Sequence, residues 1–171
     1  MAEAATGAAG GSAFARPGEE KGGFRPFFGE RHQPDRTPFM SSANTSWKGK
    51  EVLVVDDYLA VRKTIKELIN SLGLVTTEAD NGLKAQELLK ARKFDLVITD
   101  LVMPEVDGFE LTETIKNDPV LRSIPVVIIS THSDSKYIFR ALRLGADDYL
   151  VKPPTAEMVT TVLTRIFDHD W

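Results

Sequence analysis

Five polar residues stand at the ends of short apolar runs, where their side chains are well placed to do chemistry. Asp56 and Asp57 follow one run, Asp100 ends a second, Ser130 ends a third and Lys152 follows a fourth. The runs are rich in valine and isoleucine, which is typical of strands buried on both faces of a parallel sheet. A polar residue at the end of such a strand lies where open α/β sheets bind their ligands.

Carboxylates that converge on one cleft repel one another unless a cation lies between them. Asp56, Asp57 and Asp100 would form such a group, and Mg²⁺ suits one or two carboxylates together with phosphate oxygens and water. The charges of these carboxylates, a divalent cation and Lys152 then cancel. A carboxylate can also attack phosphorus and form an acyl phosphate. The cation, a lysine and a hydroxyl would hold the phosphoryl oxygens, because phosphoryl transfer is mostly positioning and charge stabilisation.

Strand and helix signals alternate along the chain from residue 50. Apolar runs predict strands at residues 51–55, 74–78, 96–100, 126–130 and 149–151. Apolar positions at helical spacing predict helices across residues 61–72, 85–89, 109–115, 138–144 and 158–166. Glycines follow the first and fourth of these helices, at Gly73 and Gly145, as is common where helices end.

This alternation predicts an α/β fold with a parallel sheet and right-handed crossovers. We expect a flavodoxin-like, doubly wound sheet of five strands in the order 2-1-3-4-5, with five helices. The first and third strands are neighbours in that order, so Asp56, Asp57 and Asp100 meet at one edge of the sheet. Ser130 and Lys152 end the fourth and fifth strands at the same edge.

Composition excludes several classes of function. The formal net charge of -4 gives no electrostatic case for nucleic-acid binding. The chain has no cysteine, which excludes disulfides, thiol catalysis and thiolate zinc sites. His32, His132 and His169 are scattered and form no metal-binding pair at helical spacing. No apolar run is long enough to span a bilayer, and the N-terminus lacks the features of a signal peptide, so we expect a cytoplasmic protein.

The first part of the chain differs in composition from the rest. Residues 1–48 are rich in glycine, alanine and proline and show no periodicity, which predicts a disordered N-terminal extension. Within it, residues 24–31 combine aromatic side chains with arginines, a pattern compatible with docking on a partner, although a solvated tail is the simpler interpretation. Residues 49–171 form the predicted folded domain.

The folded part resembles the receiver domain of bacterial two-component response regulators, of the stand-alone, single-domain type. The resemblance covers residues from about 50 to 167 and rests on five motifs at the expected strand ends. They are Val-Val-Asp56-Asp57, Asp100-Leu-Val-Met-Pro-Glu-Val-Asp-Gly108, Ser130, Gly145-Ala-Asp-Asp-Tyr149 and Lys152-Pro153. Each motif alone is weak, and it is their occurrence together and in this order that is specific.

The resemblance implies a role for each site residue. Asp100 would be the phosphoacceptor, carrying a 4-aspartylphosphate, with Ser130 and Lys152 each contacting a phosphoryl oxygen. Asp57 would be the main Mg²⁺ ligand, with Asp56 acting largely through water. Asp100 itself and the backbone carbonyl of Val102 would complete the protein ligands.

The resemblance also implies a switch. Tyr149 would turn inward when Ser130 moves toward the phosphate, and the Lys152–Pro153 bond would be cis, as X-Pro bonds alone commonly are. Two neighbouring positions would set the lifetime of the phosphorylated state. Apolar Val102 cannot position a water for hydrolysis, which favours slow dephosphorylation, whereas His132 could oppose this by ordering one.

The function implied is that of a phospho-accepting response regulator in a phosphorelay. It would receive its phosphoryl group from a histidine kinase or a phosphotransfer protein. It would catalyse only its own phosphorylation and dephosphorylation, so we do not expect an enzyme in the usual sense. We expect no output domain after the last predicted helix, so the signal would pass by contact with an effector protein, or with a second copy, through the surface from Ser135 to Phe167. Contacts with nucleic acid or insertion into a membrane are not expected.

Two alternatives belong to other functional classes. One is a receiver-like interaction module that works without phosphate, although such modules usually lack an acidic residue or the lysine. The other is an Asp-nucleophile phosphohydrolase of the haloacid dehalogenase type, which would also use Mg²⁺ and a lysine. That type places its nucleophile after the first strand in a D-x-D pattern, whereas this chain has adjacent Asp56 and Asp57 there.

Overall fold

The computed structural model describes residues 47–168 of the chain. The predicted disordered extension lies outside these residues except for its last two, and so does the aromatic and basic stretch at 24–31.

A parallel sheet forms the centre of the described domain. Its strands are β1 Glu51–Val55, β2 Val75–Ala79, β3 Leu96–Thr99, β4 Val126–Ser130 and β5 Asp148–Val151. They pair in the order β2-β1-β3-β4-β5, each neighbour parallel to the next. The predicted flavodoxin-like strand order is therefore confirmed.

Helices follow the strands in strict alternation. They are α1 Leu59–Ser71, α2 Gly82–Ala91, α3 Gly108–Asn117, α4 Ser135–Arg143 and α5 Ala156–Phe167. Side chains fix where three of them begin: Asn81, Asp107 and Thr155 accept hydrogen bonds from backbone N–H groups in the first turns of α2, α3 and α5.

The two faces of the sheet are covered by separate apolar cores. Side chains alternate between faces along each strand, so Val52 and Val54 pack with α1 and α5, while Leu53 and Val55 pack with α2 and α3. The backbone of β3 is covered on both sides, and all of its residues are buried. The backbone that leads into Asp100 therefore leaves a strand enclosed on both faces of the sheet.

Three strands differ by one residue at one or both ends from the sequence prediction. One is β5, which begins at Asp148 and not at residue 149. The second strand begins at Val75 and ends at Ala79, because Ala79 is buried and pairs with Val55 at the end of β1. Leu74 is also buried, but it belongs to the connection that enters the strand. The third strand ends at Thr99, so Asp100 is the first residue beyond the ladder of β3.

Trp47 corrects the predicted start of the folded domain at residue 49. Its side chain is only 3% exposed and joins the core beneath α1 and α5. The indole N–H lies 3.3 Å from the carbonyl oxygen of Leu72, which it contacts as a donor. An aromatic ring buried to this extent stabilises the domain by its large apolar area. The burial of Trp47 could not be predicted from composition, because this tryptophan stands among polar residues that resemble the preceding extension.

Among the residues that the structure describes, no helix is both long and apolar enough to cross a bilayer.

Candidate functional site

Sheet register brings the first and third strand ends side by side. Val55 pairs with Thr99, so the residues that follow them, Asp56 and Asp100, leave the sheet together. The backbone N–H of Asp100 donates to the carbonyl of Val55 at 2.8 Å, which holds the two loops in this register. Parallel pairing therefore places the carboxylates at one edge, as their positions after the strands predicted.

Three carboxylates form a cluster at this edge. Asp56, Asp57 and Asp100 each offer an oxygen within 4.8 Å of the others. Asp56 is buried, Asp100 is partly buried and Asp57 is exposed, so the cluster opens to solvent on the Asp57 side. Like charges at this spacing repel strongly where water is excluded, so the group requires positive charge nearby.

Lys152 supplies that positive charge from the end of β5. Its ammonium nitrogen lies 2.7 Å from Asp56 Oδ2 and 2.9 Å from Asp100 Oδ2, bridging the two carboxylates. Burial by itself lowers the pKa of Lys152, but the hydrogen bonds to Asp56 and Asp100 outweigh it, and the pKa lies above its ordinary value. The lysine is therefore charged at neutral pH. The Lys152–Pro153 peptide bond that follows it is cis.

Backbone N–H groups hold one oxygen each of Asp56 and Asp100. Asp56 Oδ1 accepts from the N–H of Tyr58 at 2.8 Å, so both oxygens of Asp56 already have partners within the protein. Asp100 Oδ1 accepts from the N–H of Leu101 at 2.7 Å. Asp57, by contrast, has no hydrogen bond or ion pair with any residue from 47 to 168. Its carboxylate is the uncompensated charge of the group.

These donors fit a hard divalent cation. Three carboxylates against one lysine leave an excess negative charge, and all the available donors are oxygens, the ligands that Mg²⁺ prefers. Val102 lies two residues beyond Asp100, and within the described part of the chain its backbone carbonyl accepts no hydrogen bond. Asp57 and this carbonyl thus have oxygens without a partner in the described part of the chain. Both oxygens of Asp100 have partners, Leu101 and Lys152, but its side chain is 13% exposed, against 1% for Asp56, so Asp100 faces the open side of the cluster.

Ser130 ends β4, and Tyr149 lies within the neighbouring strand β5. Ser130 is buried, and its hydroxyl oxygen lies 3.4 Å from the backbone nitrogen of His132. Tyr149 donates its hydroxyl hydrogen to the carbonyl of His132 at 2.7 Å, and its partly buried ring packs against the apolar cluster that includes Leu101 and Ile128. Burial raises the pKa of Tyr149, and the charge of Asp100 adds to the effect. The tyrosine is therefore a neutral hydrogen-bond donor at neutral pH.

Sequence reasoning missed one residue that supports the site. Arg62, on α1, donates from Nη1 to the carbonyl oxygen of Asp56 at 2.6 Å, and its Nε lies 3.4 Å from Glu78 on β2. The guanidinium thus fixes the loop that carries Asp56 and Asp57. No sequence signal marks Arg62, because an arginine in the second turn of an amphipathic helix usually faces solvent.

Gly108 allows α3 to approach the site closely. A Cβ at this position would overlap the carbonyl oxygen of Asp100 and lie 2.9 Å from the Cα of Leu101. We expect Gly108→Ala to lower the free energy of unfolding by about 2 kcal/mol, because backbone must shift to admit the methyl group. The better helix propensity of alanine recovers only about 0.5–1 kcal/mol. Urea unfolding measures this effect. The control, Glu113→Ala on the exposed face of α3, should change it little, and equal stability of both variants would contradict the close approach.

Comparisons with known proteins agree with this arrangement. The family model described as response regulator receiver domain matches residues 52–164. The chain is 38% identical over 122 residues to chemotaxis protein CheY-3 of Vibrio cholerae, covering 71% of this chain and 94% of that protein. It is 34% identical to chemotaxis protein CheY of Pseudomonas aeruginosa, over 69% of this chain and 96% of that protein.

Solved structures show the same fold. The signal receiver domain of a histidine kinase from Syntrophus aciditrophicus has 32% sequence identity and a TM-score of 0.65, over 70% of this chain and 91% of that one. The receiver domain of a sensor histidine kinase from Pseudomonas aeruginosa, solved with magnesium in its active-site cleft, has 25% identity and a TM-score of 0.66, over 71% and 99% of the two chains. The chain thus belongs to the response regulator receiver domain family.

Proposed function

We propose that this chain is a phospho-accepting response regulator whose Asp100 takes a phosphoryl group from a histidine kinase or a phosphotransfer protein. The observation that supports this most strongly is the setting of Asp100. Its carboxylate lies at a partly open sheet edge, within 4.8 Å of two further carboxylates and 2.9 Å from the Lys152 ammonium. This edge of the sheet thereby brings together a nucleophilic oxygen, a fixed cationic group and oxygen ligands for a divalent cation.

The transfer exchanges one bond to phosphorus for another. The phosphorus–nitrogen bond of a donor phosphoimidazole breaks while a bond forms between phosphorus and a carboxylate oxygen of Asp100. The departing imidazole nitrogen keeps the electron pair and takes up a proton. The N–H of Leu101 fixes one oxygen of Asp100, and Lys152 compensates negative charge on the other side. Positioning and charge compensation are the main demands of phosphoryl transfer.

Mg²⁺ is the cofactor that we propose for this site. Asp57, Asp100 and the carbonyl of Val102 would hold it, and Asp56 would act largely through water because its side chain is only 1% exposed, against 13% for Asp100. When bound, the ion would neutralise charge on the phosphoryl oxygens and orient them.

We propose that the signal leaves the domain as a shift between two conformations. A phosphoryl group on Asp100 would draw the Ser130 hydroxyl and thereby change the His132 backbone that Tyr149 contacts. An effector protein, or a second copy of the chain, would bind the altered surface between Ser135 and Phe167 more tightly. A nearly complete switch requires about 5.5 kcal/mol of differential affinity, so partial activity before phosphorylation is consistent with the mechanism.

The chain would act on itself alone, transferring a phosphoryl group to Asp100 and later losing it to water. We expect it to do so in the cytoplasm, with proteins as its partners and without binding nucleic acid or inserting into a membrane.

Intact-protein mass spectrometry tests the proposed phosphorylation. The chain is incubated with acetyl phosphate and Mg²⁺, beside Asp100→Asn and an EDTA control. We expect one phosphoryl adduct on the wild type and none on the variant or with EDTA. A folded wild type without an adduct would favour the phosphate-independent interaction module. Continuous hydrolysis of small phosphate esters would instead favour the phosphohydrolase.

The lifetime of the adduct is expected to depend on Val102. Its apolar side chain is 58% exposed and cannot orient a water, and the imidazole of His132 packs on Tyr137, with ring centroids 4.6 Å apart. We expect slow dephosphorylation, and we expect Val102→Asn to accelerate it by about tenfold, which is less than a true general base supplies. The decay of the adduct mass at neutral pH measures the rate. A wild-type half-life of seconds, or an unchanged rate in the variant, would contradict this prediction.

A further inference from the structure

Beside the acidic site, two adjoining depressions run along α4. The larger, of about 470 Å³, lies between α4 and the segment that follows Asp100, and the smaller, of about 240 Å³, continues along α4. They share Arg140, and we call them together the α3–α4 groove. Its lining residues are Leu101, Val102, Met103, Asp107, Phe109, His132, Tyr137, Phe139, Arg140, Arg143 and Leu144.

A row of aromatic rings forms one wall of the groove. His132 packs on Tyr137 with ring centroids 4.6 Å apart, and Tyr137 stacks on Phe109 at 6.5 Å. The guanidinium of Arg140 lies 4.1 Å from the centre of the Phe109 ring. Stacking of this kind fixes the plane of an arginine side chain and leaves its N–H edge free to donate.

The groove combines exposed apolar surface with cations that have no carboxylate partner. Phe139 is 65% exposed and Val102 is 58% exposed, both large fractions for apolar side chains. Arg140 and Arg143 are exposed, and neither guanidinium pairs with a carboxylate within residues 47–168. Asp107 is the one carboxylate among the described lining residues, and it is engaged in capping α3 through the N–H of Glu110.

We propose that the α3–α4 groove is a docking site for a partner protein's segment that carries an apolar side chain flanked by carboxylates. The apolar side chain would cover Phe139, whose exposure favours contact with another apolar surface. The flanking carboxylates would pair with Arg140 and Arg143, since planar guanidinium groups match carboxylates in bidentate geometry. Charge complementarity therefore defines the partner, because a basic or neutral segment would leave both arginines unpaired.

The position of the groove links it to Asp100. Leu101 and Val102 follow Asp100 directly, and His132 contacts both Ser130 and Tyr149 through its backbone. A phosphoryl group on Asp100 would therefore change the groove wall, so we expect phosphorylation to alter the affinity for the docked segment. This linkage rests on the proposed function, whereas docking itself does not.

A synthetic peptide tests the docking. The probe is a short fluorescein-labelled peptide of alternating glutamate and leucine with one phenylalanine, titrated with the full chain in EDTA and without phosphodonor. Its control has glutamine in place of every glutamate. We expect the acidic peptide to bind at least about tenfold more tightly, a difference of about 1.4 kcal/mol. Amide shifts of the isotope-labelled chain should concentrate in residues 101–109 and 132–144.

Matched variants separate the groove from general charge attraction. Arg140→Gln with Arg143→Gln removes the two groove cations, while Lys63→Gln with Lys90→Gln removes two exposed cations from α1 and α2. We expect about a tenfold loss of affinity in the first pair only, and a similar loss in Phe139→Ala. Equal losses in both charge variants, shifts centred on β5 and α5, or no binding of the acidic peptide would each overturn the proposal.

The same titration in acetyl phosphate and Mg²⁺ tests the linkage to Asp100. We expect the affinity of wild type to change while that of Asp100→Asn does not. If the phosphoryl adduct forms and the affinity is unchanged, the linkage is wrong although Asp100 is the phosphoacceptor. If no adduct forms while the peptide still binds in the groove, the proposed function fails and the docking site stands.

Discussion

Replacing Asp57 with asparagine is expected to slow phosphorylation by acetyl phosphate by about a hundredfold, with the fold retained. Asp57 is exposed, lacks a protein partner among the described residues and lies within 4.8 Å of the two other carboxylates. Among the three carboxylates, Asp57 is therefore the one most accessible to a cation and the one least involved in holding the fold. A hundredfold rate loss corresponds to about 2.7 kcal/mol, within the several kcal/mol that metal ions supply in such reactions.

The same substitution should have the opposite effect on stability when no metal is present. Asp57→Asn removes one of three mutually repelling charges, so we expect its free energy of unfolding in EDTA to rise by about 1 kcal/mol. Mg²⁺ should then stabilise the wild type, through mass action on the folded state, and not the variant. Glu67→Gln, on the exposed face of α1, is the control for charge removal. A variant that phosphorylates at the wild-type rate would contradict the assignment of Asp57.

Lys152→Met is expected to lower the free energy of unfolding in EDTA by about 3 kcal/mol. Lys152 bridges Asp56 and Asp100 at 2.7 and 2.9 Å, and its side chain is 11% exposed, against 1% for Asp56. Removing one partner from a buried ion pair leaves an uncompensated charge in a poor environment, which costs about 3–5 kcal/mol. Urea unfolding with and without Mg²⁺ measures the effect, and we expect Mg²⁺ to restore part of the loss by replacing the missing positive charge.

A second lysine provides the matched control. Lys116 pairs with Asp147 at 2.8 Å and is 17% exposed, but it lies on α3, away from the acidic cluster. Lys116→Met should also destabilise the domain, yet Mg²⁺ should restore none of the difference from wild type. If Mg²⁺ rescued both variants equally, or neither, Lys152 and the cation would not share the same charge-balancing role.

Much of the fold and of the site could be predicted from the positions in the sequence where apolar runs end. Buried strands of a parallel sheet have continuous apolar runs, and the residue type changes sharply where each run stops, as at Val55–Asp56. Since parallel strands share a carboxyl edge, identifying the runs was enough to bring Asp56, Asp57, Asp100 and Lys152 together. The strand order alone does not define which residues of β1 and β3 lie side by side. The pairing of Val55 with Thr99 defines this and sets Asp56 beside Asp100.

Contacts between residues that look ordinary in sequence could not be predicted. Trp47 stands in a polar stretch but packs in the core, and Arg62 has the sequence setting of a solvent-facing helix residue but binds the carbonyl of Asp56. The hydrogen bond from Tyr149 to the His132 carbonyl joins a side chain to a backbone group, and backbone groups carry no sequence signal. The α3–α4 groove depends in the same way on the stacking of Arg140 over Phe109.

The position of the phosphoryl group on the chain shows directly whether Asp100 is the phosphoacceptor. The wild-type chain is phosphorylated with acetyl phosphate and Mg²⁺, reduced with borohydride to convert an acyl phosphate into the corresponding alcohol, digested and mapped by peptide mass spectrometry. We expect that Asp100 alone is converted. Conversion at Asp56 or Asp57, or a stable phosphate on a serine or threonine with Asp100 intact, would contradict it.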